Sequence, residues 1–358
     1  MSLVFLDSFD GYSTNEVPLR WNQSNGATII AGGRNGKGCN VPSGGGPVKV
    51  VPYNNAWVVG FAFKNNSARL DAGAIYTAYT PRAQNICQIF VETDGSISLY
   101  TQASNLPFAN TSANNFYLYT NTWYYIEIMW MITPTFDING NPAVLLNVQG
   151  LRVNKQTVLT GSTLVTWNYT TNSLTAQPKI NQHSWSFNSG NPGGCTIDDL
   201  YIFNQDAGTP NSTFAGDIKI LVIKPIQDLA TPFLTHGGSG SSFSCINETP
   251  ADYDASYLYD NTNQDFDNFN WQQLPAFYGS VICVQYSIFA RKDDEGSRAF
   301  VHTMGSGPGQ VSSAHYIGDS YLYYMWELDT GPGGAPWTVA LFNATSFGFQ
   351  VFTIPIPS

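Results

Sequence analysis

The stretch Cys195–Phe203 reads CTIDDLYIF, and the stretch Leu3–Asp10 near the start of the chain reads LVFLDSFD. Both are short apolar segments that carry carboxylates, and strand-and-turn sequence fills the chain between them. A unit that opens and closes in this way predicts a β-sandwich whose first and last strands pair. The stretch Cys195–Phe203 therefore marks the end of a first domain.

Length and composition predict two domains built from sheets. At 358 residues the chain exceeds the usual size of one core, so we predict domains at 1–206 and 207–358. Apolar residues make up 43% of the chain and aromatic residues 14%, which is ample material for packed sheets. Charged residues make up only 11%, against roughly 25% in an ordinary soluble domain. Such low-charge surfaces are typical of all-β extracellular or virion proteins.

Charge, hydropathy and cysteine spacing argue against a nucleic-acid-binding, a membrane-spanning or a disulfide-bonded protein. The net charge is −10, and the 15 Lys and Arg residues form no basic cluster, so we predict no nucleic-acid partner. No apolar run reaches the roughly 18 residues that cross a membrane, and no signal peptide is recognisable. The five cysteines are widely spaced without a CxxC pair, which predicts free buried thiols.

An alternation of side chains with period two runs along the first domain. In Trp57–Lys64 the large residues share one face, and the turn Thr93–Gly95 separates two runs at hairpin spacing. Trp123–Trp130 is apolar on both faces apart from Glu127, as in a strand at the centre of a sandwich. We find no capped helical period of ten residues or more, so the prediction is all-β.

The second domain has the same character. Strand predictions there include Ile218–Lys224 and, near the end, Trp337–Phe342. Between them lies a long polar segment, roughly 228–270, that holds several tyrosines. We predict an ordered excursion rather than a flexible linker, because a linker does not need so many aromatic residues.

The order of these features resembles a known family. The first domain is similar to the concanavalin-like, laminin-G-type jelly rolls of tailed-phage virion proteins, and the resemblance continues into the second domain. It implies a concanavalin-like (laminin-G-like) jelly-roll β-sandwich followed by a second, smaller β-sandwich. The segments that carry it are Asp7–Tyr12, Leu19–Trp21, Val59–Lys64, Thr93–Ile97, Trp123–Ile128, Ile197–Ile202, Gly216–Ile220, Tyr257–Asp260 and Trp337–Val351.

Carboxylate spacing does not predict an active site. Glycoside hydrolases on such jelly rolls need two carboxylates, about 5–5.5 Å apart in retaining enzymes. The acidic pairs at short spacing are interpreted as loop or hairpin polarity, and no catalytic residue is predicted. Glu127 is the best single acid, although a buried carboxylate satisfied by Tyr, Arg or backbone N–H is the favoured interpretation. The pairs are Glu92 with Asp94, Glu248 with Asp252, and Glu327 with Asp329.

A structural Ca²⁺ is a candidate ligand, and no cofactor is required. Asp7, Asp10, Asp198 and Asp199 converge if the first and last strands pair, and carboxylates suit Ca²⁺. Asp198 and Asp199 are expected on opposite faces of their strand, so Asp7 with Asp199 is the predicted pair. The alternative is that these residues accept backbone N–H groups in turns.

Carbohydrate recognition rests on aromatic residues. Sugar sites combine exposed aromatic rings with amides and carboxylates, but the same aromatic residues also pack in cores and interfaces. The sequence alone does not say which rings are exposed. The candidates are Trp167, Tyr169, Trp185, Tyr257 and Tyr259.

The resemblance implies a non-enzymatic structural protein of a phage virion. It would be a tail, tail-fibre-associated or capsid-decorating subunit, made in the host cytoplasm and exposed on the particle. Its partners would be other virion proteins and copies of itself, with a trimer as the expected oligomer, and a host-surface glycan is a further candidate partner. The alternatives are a carbohydrate-binding adhesin or receptor-binding protein and, third, a polysaccharide depolymerase.

Overall fold

The chain divides into two units. The computed structural model describes residues 3–67, 73–80, 85–101, 107–166, 180–186, 194–205, 213–229, 235–237, 240–260, 262, 264–305 and 309–353. The first unit is Ser2–Ile220 and the second is Leu221–Ser358. This division comes later in the chain than the predicted boundary after Asp206. Each unit is described by itself.

The first unit consists of strands with one short helix, α1 (Val17–Arg20). Its strands are β1 (Leu3–Asp7), β2 (Thr28–Ala31), β3 (Lys37–Val41), β4 (Val48–Asn54), β5 (Ala56–Asn65), β6 (Gly73–Tyr79), β7 (Asn85–Val91), β8 (Ile97–Tyr100), β9 (Ala109–Asn110), β10 (Tyr124–Phe136), β11 (Pro142–Val153), β12 (Gln156–Thr166), β13 (Ile180–Ser184) and β14 (Cys195–Asn204).

Two antiparallel sheets form the predicted jelly-roll sandwich. Sheet I has eight strands in the order β12-β11-β10-β5-β14-β3-β2, with β1 also paired to β14. Sheet II has six strands in the order β4-β13-β6-β7-β8-β9. The prediction that the first and last strands meet is confirmed, because Asp7 lies opposite Leu200 in the register of β1 and β14.

Large aromatic side chains fill the space between the sheets. Trp57 and Phe61 of sheet I are fully buried and contact His183 and Trp185 of sheet II, with ring centroids 4.8 Å and 6.0 Å apart. Trp185 also packs edge-on against Trp21 at 5.6 Å. Apolar burial of this extent is the main source of stability for such a sandwich.

The outer side of β5, in the middle of sheet I, is buried as well, although Leu145 of β11 and Leu164 of β12 are 41% and 40% exposed. Val58, Gly60 and Ala62 of β5 point away from the sandwich core, yet none of them is exposed. A Cβ atom on Gly60 would stand 2.2 Å from Cε1 of Tyr201, so the tyrosine ring lies directly across this glycine. Only a residue without a side chain permits that approach.

The second unit is a smaller all-β sandwich. Its elements are β15 (Pro225–Asp228), β16 (Thr235–Gly237), β17 (Tyr257–Tyr259), β18 (Phe266–Trp271), β19 (Val284–Ala290), β20 (Arg298–Met304), β21 (Gln310–Val311), β22 (His315–Tyr316), β23 (Leu322–Leu328), α2 (Val339–Asn343) and β24 (Phe347–Thr353).

Sheet III, in the order β15-β18-β24-β20-β21 with β22 beside β20, packs against the pair β19–β23. The core between them includes Tyr286, Met304, Trp326, Trp337 and Phe347. A separate two-stranded sheet is formed by β16 and β17.

Two strand predictions in this part of the chain are wrong. Residues 218–224 form no strand, and β15 begins only at Pro225. Residues 339–343, predicted as part of a strand, form helix α2, because the Thr338 side chain caps it by accepting the Leu341 N–H at 3.0 Å. Among the residues that the structure describes, we find no helix with the length and hydrophobicity of a membrane-spanning segment.

We predict that Gly60→Ala destabilises the first unit by about 1–3 kcal/mol, because the new methyl group displaces the Tyr201 ring. Thermal unfolding measures the effect. Gly161→Ala in β12 is the matched control, since a Cβ there meets its nearest neighbour at an ordinary 3.4 Å. Equal melting temperatures for the two variants would contradict the close approach.

Candidate functional site

A bulge in β14 brings its two aspartates to the same neighbours. The pairing with β5 shifts register between Asp198 and Tyr201, and Asp199 adopts a left-handed φ of 46°. Asp198 Oδ2 accepts the Arg34 N–H at 2.6 Å, and Asp199 Oδ2 accepts from Asn35 Nδ2 at 2.8 Å. The expectation that the two carboxylates serve opposite faces is therefore wrong, because both contact the turn before β3.

The segment Phe214–Ile220, here called the docking segment, is bound to the outer side of sheet I. Its Gly216 N–H donates to Glu127 Oε1 at 2.7 Å, and its Ile220 N–H donates to Asp199 Oδ1 at 2.8 Å. Arg34 adds an ion pair with Asp217 and a bond of 3.2 Å to the Ile218 carbonyl. Hydrogen bonds to charged groups are the stronger ones in proteins. The docking segment is thus part of the first unit.

Glu127 has a structural role in this arrangement. Besides the Gly216 amide, its Oε1 accepts from the Tyr201 hydroxyl at 2.6 Å. Burial raises the pKa of Glu127 above its ordinary value, while the bonds from Tyr201 and Gly216 oppose the rise. The predicted interpretation of a buried carboxylate bonded to Tyr and backbone N–H is confirmed for Oε1, whereas Oε2 is buried without a hydrogen-bond partner among the described residues.

Both aspartates of the bulge are harder to ionise than usual. Burial is the main cause, and it raises the pKa of Asp198 to about 7, with the neighbouring Asp199 charge adding to the effect. Burial also raises the pKa of Asp199, against which the bonds from Ile220, Asn35 and Arg34 act. Below neutral pH the folded unit therefore binds more protons here than the unfolded chain does.

We predict that the stability of the first unit falls as the pH rises from 3.8 towards about 7, the window between the ordinary and folded pKa of Asp198. Asp198→Asn removes this titration and flattens the fall, as measured by thermal unfolding across that range. Asp137→Asn, at an exposed turn, is the control: because hydrogen bonds from Asn141 and Asn139 lower the pKa of Asp137, its loss changes the slope only at the acid end of the range and leaves it unchanged at about pH 6–7. An unchanged slope in Asp198→Asn would contradict the pKa assignment.

The predicted calcium pair does not fit the structure. Asp7 is buried, and its carboxylate accepts from the Phe9 N–H at 2.8 Å, the Tyr12 hydroxyl at 2.6 Å, Trp21 Nε1 at 2.8 Å and Arg20 Nε at 3.1 Å. Asp199 belongs to the separate set of bonds described above. Both carboxylates face N–H and O–H donors, which occupy the lone pairs that a cation would need. Among the described residues, no group of three His, Cys, Asp or Glu side chains is placed to hold a metal ion.

We predict that EDTA leaves the melting temperature of the protein unchanged. Asp7→Ala, in contrast, lowers the free energy of unfolding by about 3–5 kcal/mol, because it removes the acceptor of the Arg20 guanidinium and of the buried N–H and O–H donors. Differential scanning fluorimetry measures both. Asp94→Ala, at an exposed hairpin, is the control for the loss of one carboxylate. A clear fall in melting temperature on chelation would contradict the hydrogen-bond role.

Two of the three acidic pairs lie in loops and turns, whereas Glu327 of the third lies within β23 opposite Gln285, so its interpretation as loop polarity is wrong. Asp94 accepts the Ser96 N–H at 2.8 Å within the hairpin turn, as expected. Glu248 and Asp252 both accept from the Ser256 hydroxyl, at 3.0 Å and 2.8 Å, so they share a partner without a strand to align them. Asp329 follows β23 directly.

Among the predicted aromatic sugar ligands, the described ones differ in exposure. Trp185 is fully buried in the core of the first unit, so it does not face solvent and is not a sugar ligand. Tyr257 and Tyr259 lie on β17 in the second unit, 39% and 53% exposed. Trp167 and Tyr169 fall outside the described residues.

A polar face on sheet II is the site that sequence reasoning missed. Tyr76 and His183 point into the core and bond to each other at 2.7 Å, so the alternate residues point outward. Burial lowers the pKa of His183 to about 3, which keeps it neutral and structural. The outward residues, here called the polar sheet face, are Thr77, Tyr79, Gln88, Glu92, Tyr100, Gln182 and Ser184.

The polar sheet face is a continuous row across neighbouring strands. Ser184 lies opposite Thr77, Thr77 opposite Gln88, and Gln88 opposite Tyr100. Gln88 Nε2 donates to the Thr77 hydroxyl at 3.3 Å. Thr77 and Ser184 are buried, while Gln88 and Tyr100 keep partial exposure, so of these four residues Gln88 and Tyr100 are open to a ligand. Tyr79 and Gln182 on the same face are partly exposed as well.

One end of the row carries an acid–base pair. The Tyr100 hydroxyl donates to Glu92 Oε1 at 2.9 Å. Burial and the Glu92 carboxylate raise the pKa of Tyr100, so the phenol keeps its proton at neutral pH. On the same face, Tyr79 lies opposite Gln182 in the register of β6 and β13. Tyrosine, amide and carboxylate groups thus stand side by side.

Comparison with known proteins finds a weak likeness to solved structures. No protein-family model and no curated protein sequence matches this chain. The alginate lyase vAL-1 from a Chlorella virus is 13% identical over 53% of this chain and 96% of its own, with a TM-score of 0.35. The alginate lyase Aly36B, solved with an alginate trisaccharide, is 14% identical over 57% and 98%, with a TM-score of 0.38. A Trypanosoma rangeli sialidase is 10% identical over 50% of this chain and 27% of its own, with a TM-score of 0.32.

These matches correct two predictions. The sequence predicts a non-enzymatic structural protein of a phage virion, whereas the matched structures are named as enzymes. These matches contradict both the predicted structural role and the predicted absence of enzymatic activity. At these identities and TM-scores the likeness describes the fold alone, so an activity must be derived from the geometry of the site.

Proposed function

We propose that the first unit is a polysaccharide depolymerase whose site is the polar sheet face. The observation that carries the proposal is the set of partly exposed polar groups on this face, namely Gln88 opposite Tyr100, Glu92 bonded to Tyr100, and Tyr79 opposite Gln182. Hydroxyl and amide groups repeat from strand to strand about 4.8 Å apart. A row of this kind suits an extended chain of sugars, whose hydroxyl groups recur along its length.

The reaction that these residues favour is an elimination. Among the described residues of the polar sheet face, Glu92 is the one carboxylate, and hydrolysis by a pair of carboxylates needs two. In an elimination, Glu92 takes the proton next to the carboxylate of a uronic acid, and the Tyr100 hydroxyl gives its proton to the leaving oxygen. The bond to that oxygen breaks, a C=C bond forms, and the proton on Glu92 then passes to the Tyr100 phenolate, which restores both groups.

The charge distribution is compatible with a uronic-acid substrate. Residues 1–220 hold 11 of the Lys and Arg and 12 of the Asp and Glu, a net charge of −1, whereas residues 221–358 hold 4 and 13, a net charge of −9. The first unit therefore does not repel a polyanion strongly. The Gln88 and Gln182 amides supply hydrogen-bond donors for the substrate carboxylate. These bonds increase the acidity of the C–H bond next to that carboxylate.

We predict that Tyr100→Phe lowers the rate of cleavage at least about a hundredfold, because it removes the proton-transferring hydroxyl. Glu92→Gln lowers the rate as well, since it removes the carboxylate that takes the substrate proton. The assay measures reducing ends and the ultraviolet absorbance of unsaturated ends, with uronate and neutral polysaccharides as substrates. Tyr119→Phe, an exposed tyrosine of the same unit, is the control.

The outcomes separate the parts of the proposal. Unsaturated ends that depend on Tyr100 support it. Reducing ends without ultraviolet absorbance would replace elimination by hydrolysis, and full activity in Tyr100→Phe would remove the reaction from this face. A protein without cleavage on any of the polysaccharides would overturn the proposed function.

Several expectations about the setting of the protein stay predictions. They are its location on a phage particle, its assembly with other virion proteins, a trimeric homo-oligomer and a host-surface glycan as partner. The expectations that it needs no cofactor and binds no nucleic acid likewise rest on the sequence alone.

A further inference from the structure

The pair β19–β23 presents aromatic rings on the side opposite the core of the second unit. Tyr286, Ile288 and Trp326 belong to the core side, so the intervening residues face outward. Phe289 lies opposite Tyr323, with ring centroids 4.6 Å apart.

Two further tyrosines extend this surface. Tyr321 stacks on Phe289 at 4.8 Å with an angle of 18° between the ring planes. Tyr253 stands edge-on to both rings, at 5.2 Å from each. We call Tyr253, Phe289, Tyr321 and Tyr323 the aromatic platform.

Charged groups are held in fixed positions at the rim of the aromatic platform. Asp254 Oδ1 accepts from the Tyr321 hydroxyl at 2.7 Å and from Arg291 Nη2 at 2.9 Å. The Arg291 guanidinium also lies over the Tyr321 ring, 5.2 Å from its centroid. The side chain of Asp254 is 63% exposed and that of Arg291 31%. An oriented acceptor and an oriented donor are thus open to solvent beside an aromatic ring.

The backbone at Tyr253 is held in an uncommon conformation. Tyr253 adopts a left-handed φ of 61°, which is uncommon for a large residue. Residues in such conformations cluster at ligand sites, because the surrounding structure must hold them there. The Tyr321 hydroxyl and the Arg291 guanidinium donate hydrogen bonds to Asp254, and these bonds connect the loop to the residues that flank β19 and β23.

The chemistry of the aromatic platform matches a sugar ring. The C–H face of a pyranose packs on an aromatic ring, and its hydroxyl groups reach a carboxylate and a guanidinium at the edge. The shallow depression that contains Arg291 is lined by four carboxylates and two cations, so the surroundings repel an anionic ligand. The depression is formed by Arg291, Lys292, Asp293, Asp294, Glu295 and Asp319.

We infer that the aromatic platform with Asp254 and Arg291 is a glycan-binding site for neutral sugars, distinct from the polar sheet face. The site binds without cleaving, since the described residues of the platform offer a ring surface and a rim of hydrogen-bonding groups rather than a second acid–base pair. This inference does not depend on the proposed function, because the platform lies in the other unit and its residues take no part in the elimination.

Affinity gel electrophoresis of the full chain tests the inference, with dextran, galactomannan, xyloglucan or alginate cast in the gel. We expect at least one neutral polysaccharide to retard the protein and alginate to act less on this site. Tyr321→Ala weakens the retardation about tenfold, which corresponds to about 1.4 kcal/mol. Tyr321→Phe keeps the ring but frees Asp254, and has a smaller effect. Tyr316→Ala, an exposed tyrosine of the same unit, is the control.

Each result has a defined meaning. Tyr100→Phe abolishes cleavage but retains the retardation, so failure of the depolymerase and failure of this site are distinguishable. Circular dichroism in the near ultraviolet establishes that Tyr321→Ala is folded. The inference is overturned if no neutral polysaccharide retards the parent protein, or if folded Tyr321→Ala is retarded like the parent. It is also overturned if Tyr321→Ala changes only the sedimentation coefficient, because the aromatic platform is then an interface between proteins.

Discussion

Two buried carboxylates of sheet I, Glu127 and Asp199, each accept a backbone N–H from the docking segment. Because a buried carboxylate without partners is expensive, these bonds are as much a requirement of the acids as of the segment. They cover the outer side of β5 and β14, where the Tyr201 ring lies across Gly60. The proposed ligand site lies on the other sheet of the sandwich, sheet II.

The two units differ in net charge and in the chemistry of their proposed sites. The first unit is almost neutral, and the polar groups of its sheet II are hydroxyls and amides with Glu92 at one end. The second unit carries nearly all of the net negative charge and presents aromatic rings instead. A polyanion is thus compatible with one unit and a neutral sugar with the other. The two proposed sites therefore differ in the charge of the glycan that each favours.

The sequence predicted those features that depend on local pattern. The pairing of β1 with β14, the hairpin turn at Asp94 and the hydrogen bond from Tyr201 to Glu127 Oε1 follow from period-two alternation, turn chemistry and the rule that buried polar groups find partners. The bulge at Asp199 could not be predicted from local sequence pattern. It depends on the register with β5 and on the turn at Asn35, which lies far away in sequence.

Helix α2 and the polar sheet face were missed for other reasons. The short apolar run Val339–Asn343 is ambiguous between strand and helix, and only the Thr338 cap decides it. For the polar sheet face a signal was present, because Thr77 and Tyr79 alternate with buried residues along β6. Which strands align their polar residues into one row is set by the order of sheet II, and a single sequence does not contain that order.

Hydrogen–deuterium exchange of the full chain, with and without an oligosaccharide of the cleaved polysaccharide, tests the central claim that sheet I binds the docking segment and sheet II binds the glycan. The account predicts that the Gly216 and Ile220 amides exchange as slowly as those of β14 in both samples. It also predicts that the oligosaccharide slows exchange in β6, β7, β8 and β13. Fast exchange at Gly216 and Ile220, or glycan protection confined to sheet I, would contradict it.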